Sequence, residues 1–268
     1  MIMEKSIIYN GQAVYYTISG QGNPVVFIHG LAEDATIWNG QADFLSSGFQ
    51  LIIPDLPGSG RSPLPEQVSM EGLAGAVKAV LDAEGIEQAV LIGHSMGGYV
   101  MLAFAELYPQ RVKALGLFHS TSYADGEEKK AARRRNIEFI ATHGSHAFLK
   151  QATPGLFSED SKREHPEKIA ELIRRYKDFN PRSLMAYNEA MLQRPDRRQV
   201  LSAAPYPVLF IIGKHDGAIP LQQSLEQSHL PDTGFIYVLE KSGHMGMLEE
   251  TGKGNEALKK FLQDVYIA

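Results

Sequence analysis

The chain has 268 residues, of which 44% are hydrophobic and 21% charged, with a formal net charge of −5. This is ordinary globular usage at a length that suits one large α/β domain, and it argues against wholesale disorder. Without a broad basic field to neutralise phosphates, no nucleic-acid partner is expected. The absence of cysteine excludes disulfides, thiolate zinc sites and cysteine nucleophiles.

No run approaches the ~18 apolar residues of a membrane span, and MIMEKSIIYN is too polar for a signal-peptide core. A cytoplasmic protein with no membrane partner, monomeric or homodimeric, is therefore expected. In chain order, residues 7–9 and 14–18 read as a hairpin turned by Asn10-Gly11, a pair that tolerates positive φ. Strands follow at 25–28, 51–53, 89–92, 114–118, 208–212 and 235–239, and the middle ones are continuously apolar, as in a parallel sheet buried on both faces. Between and after them come helical patterns at 72–83, 97–107 and 255–265. The fold expected is α/β, an eight-stranded mostly parallel sheet flanked by helices.

Residues 120–199 break this rhythm. They carry no strand signal, but His165-Pro166 and Asn180-Pro181 both read as helix starts. Apolar Ile169, Leu172, Ile173 and Tyr176 follow the first, and Leu184, Tyr187 and Met191 the second. A helical lid (120–199) is thus expected between the sixth and seventh strands, with 1–119 and 200–268 forming the core. The basic run K-K-A-A-R-R-R at 129–135 reads as the solvated face of a helix.

In α/β sheets, reacting groups collect beyond the carboxyl ends of the strands. Three such ends carry Gly93-His94-Ser95-Met96-Gly97, Gly213-Lys214-His215-Asp216 and Ser242-Gly243-His244. A serine hydroxyl needs a base within reach to become nucleophilic. Histidine, with an ordinary pKa near ~6.5, can take and return that proton, and a carboxylate behind it fixes its tautomer. Gly93 and Gly97 permit a strained strand-to-helix turn that lifts Ser95 clear of the sheet. The amides of Met96 and Leu31 are the natural donors to a developing oxyanion. Each signal alone fits a plain small-residue turn or a loop histidine; their order and strand context favour catalysis.

The segments H-G-L-A-E-D-A-T-I-W, D-L-P-G-S-G-R-S, G-H-S-M-G-G, G-K-H-D-G-A-I-P and S-G-H-M-G-M-L-E together resemble successive blocks of the α/β-hydrolase superfamily. The nearest likeness is its lidded serine esterase, enol-lactonase and C–C-hydrolase branch. That resemblance implies Ser95 as nucleophile, Asp216 as acid and His244 as base, with oxyanion amides from Leu31 and Met96. It further implies a structural role for His29 and a loop-bracing one for Asp55. His94 is expected to pack away from the site, and His215 to be exposed. A serine nucleophile argues against the carboxylate-using dehalogenase and epoxide-hydrolase branches.

The substrate pocket is expected between Ser95 and the lid, walled by Trp38, Phe118, Phe148, Phe157, Met185, Met191 and Met245. The expected activity is hydrolysis of a small ester or lactone through an acyl-enzyme, with no cofactor and no metal. A C–C-bond hydrolase of ring-cleavage products and a ligand-sensing hydrolase-like protein are the alternatives. Lid arginines such as Arg133, Arg134, Arg174 and Arg182 are expected on the surface.

Overall fold

The structure, a computed structural model, describes residues 2–267. Eight strands form one sheet in the order β1-β2-β4-β3-β5-β6-β7-β8. These are β1 (Ile2–Tyr9), β2 (Gln12–Ser19), β3 (Asn23–Ile28), β4 (Phe49–Pro54), β5 (Ala89–His94), β6 (Val112–Phe118), β7 (Val208–Gly213) and β8 (Gly234–Leu239). The first hairpin is antiparallel, β2 runs antiparallel to β4, and every other pairing is parallel. The hairpin closes through Asn10 and Gly11, at φ 49° and 78°. Two successive positive φ values give a turn whose twist matches that of the strands.

The central strands are apolar along their whole length because alternate residues serve different cores. Val26, Ile28, Leu91, Leu115, Leu117 and Phe210 pack on one face of the sheet with α2 (Met70–Ala83) and α3 (Met96–Leu107). Val25, Phe27, Val90, Ile92 and Leu209 pack on the other, with α1 (Asn39–Leu45) and α11 (Thr251–Ile267). Period-two alternation across a doubly covered sheet thus reads as unbroken hydrophobicity.

Between β6 and β7 the described chain is helical: α4 (Glu127–Ala152), α5 (Glu159–Glu164), α6 (Pro166–Tyr176), α7 (Pro181–Gln193) and α8 (Arg198–Ser202). Pro166 and Pro181 open their helices as their position predicts, and the Asn180 side chain accepts from the Arg182 amide at 2.9 Å. The helix α4 is two segments merged across Gly144, whose φ of 77° and ψ of 177° break the helical path. Its buried residues, Arg133, Ile140, Ser145, Phe148 and Leu149, form no periodic apolar face, so its full extent is not legible from pattern alone. Two short helices, α9 (Leu221–Gln227) and α10 (Gly246–Glu249), complete the set. No helix among the described residues is long and apolar enough to cross a membrane.

Candidate active site

One residue separates β5 from α3, and it is Ser95. Its φ of 49° and ψ of −116° lie outside the ordinary regions for a side-chain-bearing residue, a strain that surrounding contacts must hold. The Ser95 amide donates to the Phe118 carbonyl at 3.1 Å, and the Ser120 hydroxyl donates to the Ser95 carbonyl at 2.7 Å. A Cβ on Gly93 would lie 2.5 Å from the Gly97 carbonyl, and one on Gly97 would lie 2.2 Å from the Ile28 oxygen. Both contacts are with backbone, so neither neighbour can yield. The glycines flanking Ser95 are therefore required by close packing of β3, β5 and α3. The Ser95 hydroxyl makes no hydrogen bond within the described residues.

Asp216 follows β7 and His244 follows β8. The His244 Nδ1–H donates to Asp216 Oδ2 at 2.8 Å, and Asp216 Oδ1 accepts from the amides of Ala218 and Ile219 at 2.8 and 2.9 Å. Burial alone would raise the Asp216 carboxyl, but attraction to the adjoining His244 and the hydrogen bond from its Nδ1–H hold it well below the usual carboxylate range. An ionised Asp216 fixes the proton on Nδ1 and leaves Nε2 as the acceptor. Ser95 and His244 line the same 670 Å³ cavity.

Two further histidines join this cluster. His94, expected as packing turned away from the site, lines the cavity and ties three segments together. Its Nδ1 donates to Glu33 Oε2 at 3.0 Å and its Nε2 donates to the His244 carbonyl at 3.1 Å. The Glu33 carboxylate also accepts from the Gly30 amide at 2.6 Å. Both ring nitrogens of His94 face acceptors, which selects the imidazolium. Burial would lower the His94 pKa, yet the Glu33 carboxylate outweighs it and raises it. Burial would likewise raise Glu33, and attraction to His94 lowers it. His119, at the end of β6, has Nδ1 3.0 Å from the Gly213 amide and 3.6 Å from Asp216 Oδ2. Burial pushes its pKa down. Sequence reading missed Glu33 and His119, although His119 also sits at a strand's carboxyl end, where the same rule would have found it.

His29 accepts from the Leu56 amide at 3.1 Å through Nε2, a structural bond. Asp55 accepts from the amides of Ala35 and Arg61 at 2.9 and 3.1 Å and so braces the loop after β4. His215 is exposed.

The cavity wall differs from the sequence expectation. Leu31, Phe148 and Met191 line it, but Trp38, Phe118, Phe157, Met185 and Met245 do not. Trp38 packs at 5.0 Å from Phe27 and edge-on to Phe118 at 5.5 Å, while Met245 and Phe157 are buried in the same core and Met185 packs against its edge. Large apolar groups next to the site seal the sheet instead of facing substrate. The Met96 side chain is likewise fully buried, leaving only its backbone available to the site. The basic run on α4 is not wholly solvated either, since Lys129, Arg133 and Arg135 line the cavity and Arg133 is buried against Asp125.

This sheet order, the strained serine turn and the Asp–His pair at neighbouring strand ends define an α/β-hydrolase. The chain belongs to that family: the family described as alpha/beta hydrolase fold matches residues 23–251. A thermophilic esterase from Thermogutta terrifontis, solved with malate bound, superposes with a TM-score of 0.93 at 29% identity, covering 98% of this chain and 99% of that one. The dihydrolipoyllysine-residue acetyltransferase component of the acetoin cleaving system of Cupriavidus necator is 30% identical over 94% of this chain and 67% of its own length. The pimeloyl-[acyl-carrier protein] methyl ester esterase of Vibrio cholerae is 26% identical over 89% of this chain and 93% of its own.

Proposed function

We propose that this chain is a serine hydrolase acting on a small carboxylic ester or lactone. The observation that carries the reading is the buried His244–Asp216 hydrogen bond at 2.8 Å, opening on the same cavity as the strained Ser95. In this reading Ser95 Oγ attacks the carbonyl carbon while His244 Nε2 takes its proton, and the Asp216 carboxylate stabilises the imidazolium that results. The tetrahedral oxyanion is held by the amides of Leu31 and Met96, neither of which donates to another described residue. The imidazolium returns its proton to the leaving alkoxide, giving an acyl-enzyme. Water, deprotonated by His244, then releases the acid. Helices α4 to α8 serve as a lid, with Phe148 and Met191 presenting an apolar wall to the acyl group. The likeness to esterases supports ester cleavage.

The test is intact mass after reaction with a fluorophosphonate, on the wild type, Ser95→Ala and His244→Ala. A single adduct on the wild type that both variants lack is the expected result, with Asp216→Asn lowering ester turnover by about 10⁴-fold. Wild-type turnover by Ser95→Ala would overturn the assignment.

A further inference from the structure

One corner of the cavity carries charge that neither the fold nor the proposed chemistry uses. Tyr99, on α3, is only 3% exposed and lines the cavity, yet its hydroxyl makes no hydrogen bond within the described residues. The Arg194 guanidinium lies 3.8 Å from the centre of its ring. Arg194 and Arg133 share a single carboxylate, Asp125, to which Arg194 is paired at 2.9 Å. Lys129, on α4, donates to the Ala218 carbonyl at 3.1 Å and makes no ion pair among the described residues. Exposed Glu128 and exposed Arg135 also line the cavity.

Four cations thus surround two carboxylates here, in a chain whose net charge is −5. The field registers on Tyr99 itself: burial would raise its pKa, but Lys129, Arg194 and Arg133 bring it below the ordinary tyrosine value. The other carboxylate in the cavity wall, Glu33, is already matched by His94. A pocket that, apart from the Ser95–His244 corner, offers an unpartnered hydroxyl donor and an unpaired ammonium is built to receive an anion.

We propose that the Tyr99 hydroxyl and the Lys129 ammonium form a carboxylate subsite, so that the substrate is an ester or lactone of a short dicarboxylic acid with its second carboxylate free. The proposal rests on Ser95 being the nucleophile. Tyr99 lies in the first turn of α3, four residues beyond Ser95, and both line the cavity. A short acid spanning the two has its scissile carbonyl at Ser95 and its free carboxylate at Tyr99. Arg133 and Arg194, held by Asp125, are positioning residues that keep the corner electropositive without touching the substrate.

The experiment compares monomethyl glutarate with methyl pentanoate, which has the same chain length and no charge, by pH-stat. The wild type is expected to favour the half-ester in kcat/KM by about tenfold or more, as a charge-assisted hydrogen bond supplies. Lys129→Met and Tyr99→Phe are each expected to lower that preference about tenfold, chiefly through KM, and Lys129→Glu to reverse it. Equal kcat/KM for the two esters, or variants that leave the ratio unchanged, would overturn the subsite. Independently of turnover, glutarate at millimolar concentration is expected to raise the Tm of the wild type and not of Lys129→Glu. The absence of that shift would also overturn it. Failure of the underlying serine chemistry reads differently, as loss of the fluorophosphonate adduct while glutarate still raises the Tm.

Discussion

Glu33→Ala removes the carboxylate that His94 and the Gly30 amide share. Glu33 is 4% exposed and His94 1%, so the variant leaves a buried imidazole without its counter-charge and an amide without its acceptor. Breaking a buried pair in this way costs about 3–5 kcal/mol, a large part of the 5–15 kcal/mol typical of a folded domain. For a protein of this size that is a fall in Tm of about 6–20 °C, measurable by differential scanning fluorimetry. The loss must also depend on pH. In the wild type the His94 pKa is raised, so its contribution is complete below the ordinary histidine value of about 6.5 and disappears as pH rises through the folded value. The Glu33 pKa is lowered, so its contribution is complete above about 4.5 and is lost as pH falls through its folded value. In the variant His94 keeps its burial but loses the Glu33 carboxylate, the largest influence favouring its charge, so the fold holds a proton there less readily while the unfolded chain still takes one up below pH ~6.5. The gap between wild type and variant is therefore wider at pH 5.5 than at pH 9. Glu33→Gln, which keeps an acceptor for the Gly30 amide, falls between the two. An equal gap at both pH values, or a total loss under about 1 kcal/mol, would refute the charge-pair reasoning.

Other substitutions separate close packing, loop bracing and substrate contact. Gly97→Ala drives a Cβ to 2.2 Å from the Ile28 oxygen and is expected to cost about 3 kcal/mol or more; Gly252→Ala, with open space around it, should leave the Tm nearly unchanged. Asp55→Ala strips the acceptor from the Ala35 and Arg61 amides and should cost about 3 kcal/mol in a urea titration. Phe118→Ala, in the sealed core, is expected to lose about 3–5 kcal/mol of stability with KM for a neutral ester preserved in the folded fraction. Phe148→Ala, on the cavity wall, should raise that KM several-fold. Identical KM changes in the two phenylalanine variants would refute the division between core and wall.

The fold was legible because its strongest signals are local. Apolar runs with both faces buried, the Asn10-Gly11 turn and the two X-Pro helix starts each declare themselves within a few residues. The placement of Ser95, Asp216 and His244 at strand ends was legible for the same reason, since each needs only its own strand to be recognised. What surrounds them was not. Glu33 reaches His94 across 61 positions and His94 reaches His244 across 150, and no local pattern encodes such a meeting. The residues Trp38, Phe118 and Met245 misled because hydrophobicity near a site says nothing about which side of the sheet a side chain serves. The basic run on α4 misled for a related reason: one helical segment carries Arg134 to solvent and Arg133 to a buried carboxylate, and only the docked helix decides between them.

Trp38 is the only tryptophan in the chain, and it sits edge-on to His94 with ring centroids 6.3 Å apart. Its indole nitrogen is buried and has no hydrogen-bond partner within the described residues. The molecule thus carries a single indole fluorophore, shielded from solvent and packed beside the histidine that braces the His244 loop. An imidazolium quenches a neighbouring indole more strongly than a neutral imidazole does. Tryptophan emission from the unlabelled protein, excited beyond the tyrosine absorption, therefore reports the charge on His94, an optical channel into the centre of the site.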